Sequence, residues 1–163
     1  MRELFENIRQ ILINNPAFAQ NGTLPPATVD MYYNQPGNPD AFEWTFPAVF
    51  VDYLLDHDNE LAYIYLHCVS EDATETDNLS DNSSLGLRYL DYLDTVRQLL
   101  TGIRTPPVFG SLSPYQDSPV QSAFFHYHLL TFTCPYNPEC ADTGKYIDVR
   151  IELDNDVHLK EKD

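Results

Sequence analysis

The chain has 163 residues, of which 43% are hydrophobic, and its 25 Asp and Glu against 9 Lys and Arg give a formal net charge of -16. This length suits a single domain, residues 1–163, that can bury a core without disulfides or metals. The composition excludes a disordered chain, and the charge disfavours binding to nucleic acid or to anionic membranes. A basic partner, a cation-rich setting or a surface that must not adhere to DNA each fits the charge, and so does solubility alone.

The cysteines and the start of the chain indicate where the protein acts. Cys68, Cys134 and Cys140 are an odd number, which argues against a complete disulfide framework. The opening MRELFENIRQ is charged and amphipathic, unlike a signal peptide, and no apolar run approaches the roughly 20 residues that span a bilayer. We therefore expect a cytosolic protein with reduced thiols.

The first predicted element is an amphipathic helix over RELFENIRQILINN, ended by Asn14, Asn15 and Pro16. Residues 16–40 follow and are rich in Pro, Asn and Gly, with one short extended piece at 29–33. They predict a long arm that either contacts a partner or packs over the protein's own surface.

Two strands are predicted next, AFEWTFPAVFVDYLL and ELAYIYLHCVS, which the turn DHDN joins into a hairpin. The first is apolar on both faces in its second half, so it should lie inside a sheet with a layer on each side. Pro47 cannot donate to a ladder and predicts a bulge or break. One face of this strand carries Phe42, Trp44, Phe46, Ala48 and Phe50.

The acidic segment 71–84 has no hydrophobic period and predicts a mobile loop. LGLRYLDYLDTVRQLL after it has helical spacing and ends at Gly102. The stretch VFGSLSPYQDSPVQ is expected to be a link. It leads to a strand, SAFFHYHLLTFTC, with Phe124, His126, His128, Leu130, Phe132 and Cys134 on one face.

The last predicted strand is KYIDVRIELD, in which Ile147, Val149, Ile151 and Leu153 alternate with polar residues. One of its faces should be buried and the other wet, and we expect it to run antiparallel to its predecessor. The element order is thus α-β-β-α-β-β. It predicts an α+β fold, a mostly antiparallel sheet with two helices packed on it.

The chain offers weak signals for chemistry. His126 and His128 point the same way from a strand and could place two imidazoles on one metal ion. The competing interpretation is two histidines packed among aromatics or facing a neighbouring subunit. No paired cysteine spacing, nucleophile motif or phosphate-binding glycine loop accompanies them. We expect no catalytic residue and no cofactor, and we keep a small metal-dependent enzyme using these histidines as the weakest alternative.

Aromatic residues are in excess, with 11 Tyr and 1 Trp. Tyr is favoured at protein interfaces because it combines apolar area with a hydrogen-bonding tip. We expect part of this set to form an oligomer interface. The candidates are Tyr32, Tyr33, Trp44, Tyr63, Tyr65 and Tyr115.

The order of the predicted elements and the residue patterns within them resemble those of the tail-terminator, or tail-completion, proteins of long-tailed bacteriophages and prophages. The resemblance rests on the opening helix, AFEWTFPAVFVDY, AYIYLHCVS, the helix LRYLDYLDTVRQLLTGI and the aromatic strand in QDSPVQSAFFHYHLLTFTC. The resemblance covers most of residues 1–153, and it implies no catalytic residues in this chain.

That resemblance implies a structural protein of virion assembly, a ring-shaped homo-oligomer, expected to be a hexamer. Such a ring joins tail-tube and connector proteins at the head–tail junction or the tail end. DNA passes through it without specific binding, and no membrane is involved. The protein would be found in the host cytoplasm during assembly and then in the virion. The acidic composition also leaves a second function open, an immunity or DNA-mimic module that blocks a basic partner.

Overall fold

The computed structural model of the protein describes residues 1–71, 83–122 and 125–141. Two single-turn 3-10 helices, Gln35–Gly37 and Pro39–Ala41, lie between the first two strands. The predicted α+β class, a mostly antiparallel sheet with helices packed on it, is confirmed. In chain order the elements are α1 Arg2–Leu12, α2 Pro16–Gln20, β1 Thr28–Met31, β2 Ala48–Asp56, β3 Leu61–Glu71, α3 Ser83–Leu100, β4 Ser113–Val120, β5 Phe125–Pro135 and α4 Pro138–Ala141.

The strands form one five-stranded sheet in the order β1-β2-β3-β5-β4. β1 runs parallel to β2, and the other three pairings are antiparallel. The hairpin predicted from the turn DHDN is present as β2 and β3, with Ala48 opposite Val69 and Asp56 opposite Leu61. β2 therefore lies inside the sheet, as its two apolar faces predict.

A core on one side of the sheet holds the helices in place. α1 contributes the stripe Leu4, Ile8 and Leu12, each fully buried, which confirms the predicted amphipathic helix. Burying each such side chain contributes about 1.5–3 kcal/mol. This helix-side core also includes Ile64, Leu66, Leu93, Val96, Leu100, Leu130 and Phe132.

The segment at 16–40 contains more structure than the predicted arm. Asn15 accepts a hydrogen bond from the Ala17 amide and Pro16 occupies the first turn, so the sequence starts a short helix, α2. Phe18 of α2 is fully buried and lies 5.7 Å from the ring of Tyr92. β1 then adds a parallel edge strand to β2. The segment is thus attached to the domain at two points.

The strand predicted to start near Phe42 starts instead at Ala48. The break expected at Pro47 is confirmed, and the Phe46–Pro47 peptide bond is cis. The alternation that predicted a longer strand still has a structural consequence, because Trp44 and Phe46 pack on Phe50 beside the sheet.

A second correction concerns residues 108–121, which the sequence predicted to be a link. They contain β4, which pairs with β5 from Ser113 opposite Thr133 to Val120 opposite Tyr127. The element order differs from α-β-β-α-β-β because the described residues add the strands β1 and β4 and the short helices α2 and α4.

Two predictions fall outside the described residues. They are most of the acidic loop at 71–84, of which Glu71 ends β3 and Ser83 begins α3, and the strand KYIDVRIELD.

Candidate assembly surface

The register of the sheet places its side chains on two different faces. Val49, Ile64, Leu66 and Leu130 face the helix-side core. The other face is built from four rows of side chains across β2, β3, β5 and β4, and we call it the aromatic face. Its rows are Ala48–Val69–Tyr127–Val120, Phe50–His67–Leu129–Ser118, Asp52–Tyr65–Thr131–Gln116 and Leu54–Tyr63–Thr133–Ser113.

The first two rows are covered by the chain segment that precedes β2. Trp44 lies edge-on to Phe50 and Phe125, with ring centroids 5.4 and 6.0 Å away. Ala48, Phe50, Val69 and Phe125 are buried beneath it. The sequence-predicted interface residue Trp44 is therefore half-buried in the protein's own structure.

Tyr32 also belongs to the segment that covers these two rows, which we call the cover, and it contacts His67 of the sheet. Its ring stacks on His67 at a centroid separation of 3.8 Å and an interplanar angle of 6°. Nδ1 of His67 is hydrogen-bonded to the Tyr127 hydroxyl at 2.6 Å. Burial lowers the pKa of His67 from 6.5 to about 4 and raises the pKa of Tyr127, so both side chains are neutral at pH 7. Tyr32 belongs to this cover, whereas its neighbour Tyr33 is 65% exposed.

Each of the other two rows contains one tyrosine from β3 that remains partly accessible. Tyr63 and Tyr65 are half-buried, and Tyr115 contacts Tyr63 edge-on at 5.7 Å. Leu54 and Tyr115 are 53% and 63% exposed. We call Leu54, Tyr63, Tyr65 and Tyr115 the open half of the aromatic face. Three of the six predicted interface residues thus meet on one surface, while Tyr32 and Trp44 pack over the other half of the aromatic face.

The open half carries little charge for so acidic a protein. In its two rows Asp52 is the only ionisable acid or base other than tyrosine. Depletion of charge with enrichment of Tyr is the composition of an interface core. The other acidic residues that the structure describes lie outside these two rows, and their charge opposes non-specific association.

Both edges of the sheet resist the addition of another strand. The outer strand β4 contains Pro114 and Pro119, which lack an N–H, and its register shifts between Pro114 and Gln116. The opposite edge, β1, has only 4 residues. Prolines, bulges and short edge strands prevent edge-to-edge pairing.

His126 and His128 share the helix side of β5, as their spacing predicted. The Tyr89 ring stacks on His126 at 4.7 Å and lies 5.9 Å from His128. Nε2 of His128 is hydrogen-bonded to the carboxylate of Asp117. The same carboxylate accepts a hydrogen bond from Arg97 of α3, and Arg97 donates another hydrogen bond to Asp94. These hydrogen bonds tie α3 to β4 and β5. Sequence reasoning missed Asp117 because its strand was not predicted.

In the part of the chain that the structure describes, no three His, Cys, Asp or Glu side chains converge on a metal-sized site. Cys68 lies opposite His128 in the register and is fully buried. Burial raises the pKa of its thiol, which keeps it protonated and poorly nucleophilic.

No protein-family model matches the chain, and no curated protein matches it. None of the described helices is long and apolar enough to cross a membrane.

Proposed function

We propose that the protein is a non-catalytic assembly subunit resembling a phage tail terminator, and that its copies join into a ring, a hexamer, at the head–tail junction or the tail end. The observation that carries the proposal is the open half of the aromatic face. It presents two half-buried tyrosines beside Leu54 and Tyr115, and the two rows that form it contain one carboxylate, Asp52.

A sheet with one face packed on helices commonly leaves the other face to water, and such a face is then polar. Here the second face is apolar and aromatic at Leu54, Tyr63 and Tyr115. Apolar patches of this kind mark protein–protein contacts. Tyr supplies large contact area at a low cost in side-chain entropy.

The net charge of -16 supports a role next to DNA. An acidic lumen repels the phosphate backbone, so DNA can pass through a ring without binding. The partners are then other copies of the chain and the tail-tube and connector proteins. The protein would act in the host cytoplasm during assembly and remain in the virion afterwards.

Native mass spectrometry and negative-stain microscopy of the purified chain test this proposal. We expect a closed ring whose population rises with protein concentration. Tyr115→Asp should shift the population towards monomer, because it places a charge in the interface. The matched control is Leu90→Asp, on the exposed surface of α3, which is 49% exposed and should leave assembly unchanged.

A strict monomer at high concentration, unaffected by either substitution, would contradict the ring. If that monomer retained a single basic protein in a pull-down, the acidic binding module would become the better explanation.

A further inference from the structure

The cover, residues 32–47, is the connection between the parallel strands β1 and β2. Backbone hydrogen bonds fasten both of its ends. The Tyr32 amide donates to the carbonyl oxygen of Val51, and the Ala27 amide donates to the carbonyl oxygen of Pro47. These ends can stay in place when the segment between them moves.

The middle of the cover is held on the sheet by side chains. Its backbone hydrogen bonds include those from the Asn38 amide to Asn34 and from the Ala41 amide to Asn38, which lie within the segment itself. The ring of Trp44 packs edge-on against Phe50 of β2 at 5.4 Å. Lifting the cover therefore separates side chains and leaves these backbone hydrogen bonds intact.

His67 is a polar group that lies beneath this cover, and its side chain is only 9% exposed. Each element packed against it contributes an ionisable neighbour. Tyr32 of the cover stacks on the imidazole, Tyr127 of β5 is hydrogen-bonded to Nδ1, and Asp52 of β2 is the carboxylate whose charge acts on the ring. The imidazole thus occupies a closed site of which the cover forms one wall.

A proton on His67 is disfavoured while the cover is in place. Burial lowers the pKa of the imidazole from 6.5 to about 4, so the loss of hydration outweighs the attraction of Asp52. Lifting Tyr32 off the ring admits water to it and returns the pKa towards 6.5. Because the lifted form binds the proton more tightly, acid shifts the population towards that form.

We propose that the cover is a lid that protonation of His67 releases from the sheet. In the lifted form the two covered rows join the open half, so that all four rows of the aromatic face become accessible. Phe50 and Val69, which are buried beneath the cover, are then part of that surface. The lid operates within a single copy, so this inference goes beyond the proposed function and does not depend on it.

Linkage between proton binding and lifting sets the size of the effect. With a pKa of about 4 under the cover and 6.5 when it is lifted, the ratio of lifted to covered molecules rises about thirtyfold between about pH 7.5 and about pH 5. The rest of the domain stays folded in the lifted form. A probe under the cover should therefore respond more readily than a probe in the helix-side core.

Thiol labelling at two adjacent positions on opposite faces of β3 tests the inference. Val69 is fully buried under the cover, and Cys68 is fully buried in the helix-side core. In the full chain carrying Cys140→Ser, Val69→Cys introduces a thiol with little change in volume. A pyridyl disulfide is added at each pH, and tandem mass spectrometry separates the two sites. Each labelling rate is divided by that of the urea-unfolded chain at the same pH.

We expect the introduced thiol to react faster than Cys68 at every pH, because it requires only the cover to lift, whereas Cys68 requires the core to unfold. Its normalised rate should rise about thirtyfold from about pH 7.5 to about pH 5. Adding His67→Gln should remove this rise. Adding His57→Gln, at an exposed turn position, is the matched control and should retain it.

Equal normalised rates at the introduced thiol and at Cys68 would overturn the inference, because the cover would then open only when the protein unfolds. A rate that does not change with pH would also overturn it, and so would a rise that persists with His67→Gln. Ala48→Cys, on β2 under the same cover, repeats the measurement if Val69→Cys impairs folding. Native mass spectrometry judges the ring separately from either result.

Discussion

The ring of Tyr32 lies flat on the ring of His67, with centroids 3.8 Å apart and planes within 6° of parallel. Tyr32 belongs to the segment before β2, and His67 lies in the middle of β3. The contact therefore fastens the cover of the aromatic face to the sheet. It also holds an imidazole where burial disfavours its charged form.

The first prediction concerns pH. The pKa of His67 is about 4 in the folded protein and 6.5 when unperturbed, so the unfolded chain takes up the proton first as the pH falls. The contribution of neutral His67 to stability is complete above pH 6.5 and is lost between 6.5 and 4, at up to about 1.4 kcal/mol per pH unit. Denaturant unfolding at a series of pH values measures this slope.

His67→Gln provides the comparison for that experiment. It removes the stacked ring and should lower the free energy of unfolding at pH 7 by about 1 kcal/mol, while flattening the slope below pH 6.5. His57→Gln, at an exposed turn position, should leave the slope as in the unsubstituted protein. An unchanged slope in His67→Gln would show that another group senses the pH.

The second prediction concerns the helix-side core. Ile8 of α1 is fully buried, so Ile8→Ala should leave a cavity and lower the free energy of unfolding by about 2–5 kcal/mol. Gln10→Ala, on the exposed side of the same helix, should change it by less than about 0.5 kcal/mol. Equal values for the two variants would mean that α1 does not dock through its apolar stripe.

The third prediction concerns the thiols. Cys68 is fully buried, and burial also raises the pKa of Cys134 to about 11, so neither should react with iodoacetamide in the folded protein. Cys140 is only partly buried and should react first. Mass mapping of the alkylated peptides identifies the site, and Cys140→Ser should abolish native labelling. Rapid labelling at Cys68 would contradict its burial.

The fourth prediction concerns salt. A net charge of -16 makes subunits repel each other. Raising NaCl from about 0.05 M to about 0.5 M shortens the screening length and should strengthen self-association. Light scattering at fixed protein concentration follows the change. Association that weakens with salt would point to ion pairing across the interface instead of the open half.

The fifth prediction concerns Asp117, which bonds both His128 and Arg97. Asp117→Asn removes the charge that joins α3 to β4 and β5 and should lower the free energy of unfolding by about 1 kcal/mol. Among the described residues, Asp94 is hydrogen-bonded to Arg97 of the same helix, so Asp94→Asn should lower the free energy of unfolding by less than about 0.5 kcal/mol. Thermal unfolding of the two variants distinguishes these roles.

The elements with strong periodicity were predictable from the sequence. The stripe of Leu4, Ile8 and Leu12 identified α1, and the alternation through His128 and Phe132 identified β5 and its faces. In both, burial of one side repeats at the period of the backbone, so the pattern and the packing have the same cause.

The edge strands were not predictable in the same way. β4 has mostly exposed side chains and two prolines, Pro114 and Pro119, so it lacks the apolar alternation of a half-buried strand. Because β4 was not predicted, the role of Asp117 was not recognised either. Its hydrogen-bond partners His128 and Arg97 come from other elements of the chain. Tyr63, Tyr65 and Tyr115 were named from residue type alone, and only the register brings them together.

The prolines in the edge strand β4 limit the ways in which copies of the protein can associate. Pro114 and Pro119 oppose the addition of a further strand at the β4 edge, which disfavours growth into a fibre by backbone pairing there. In the proposed ring, the number of subunits is set instead by the angle between the docked faces of neighbouring copies.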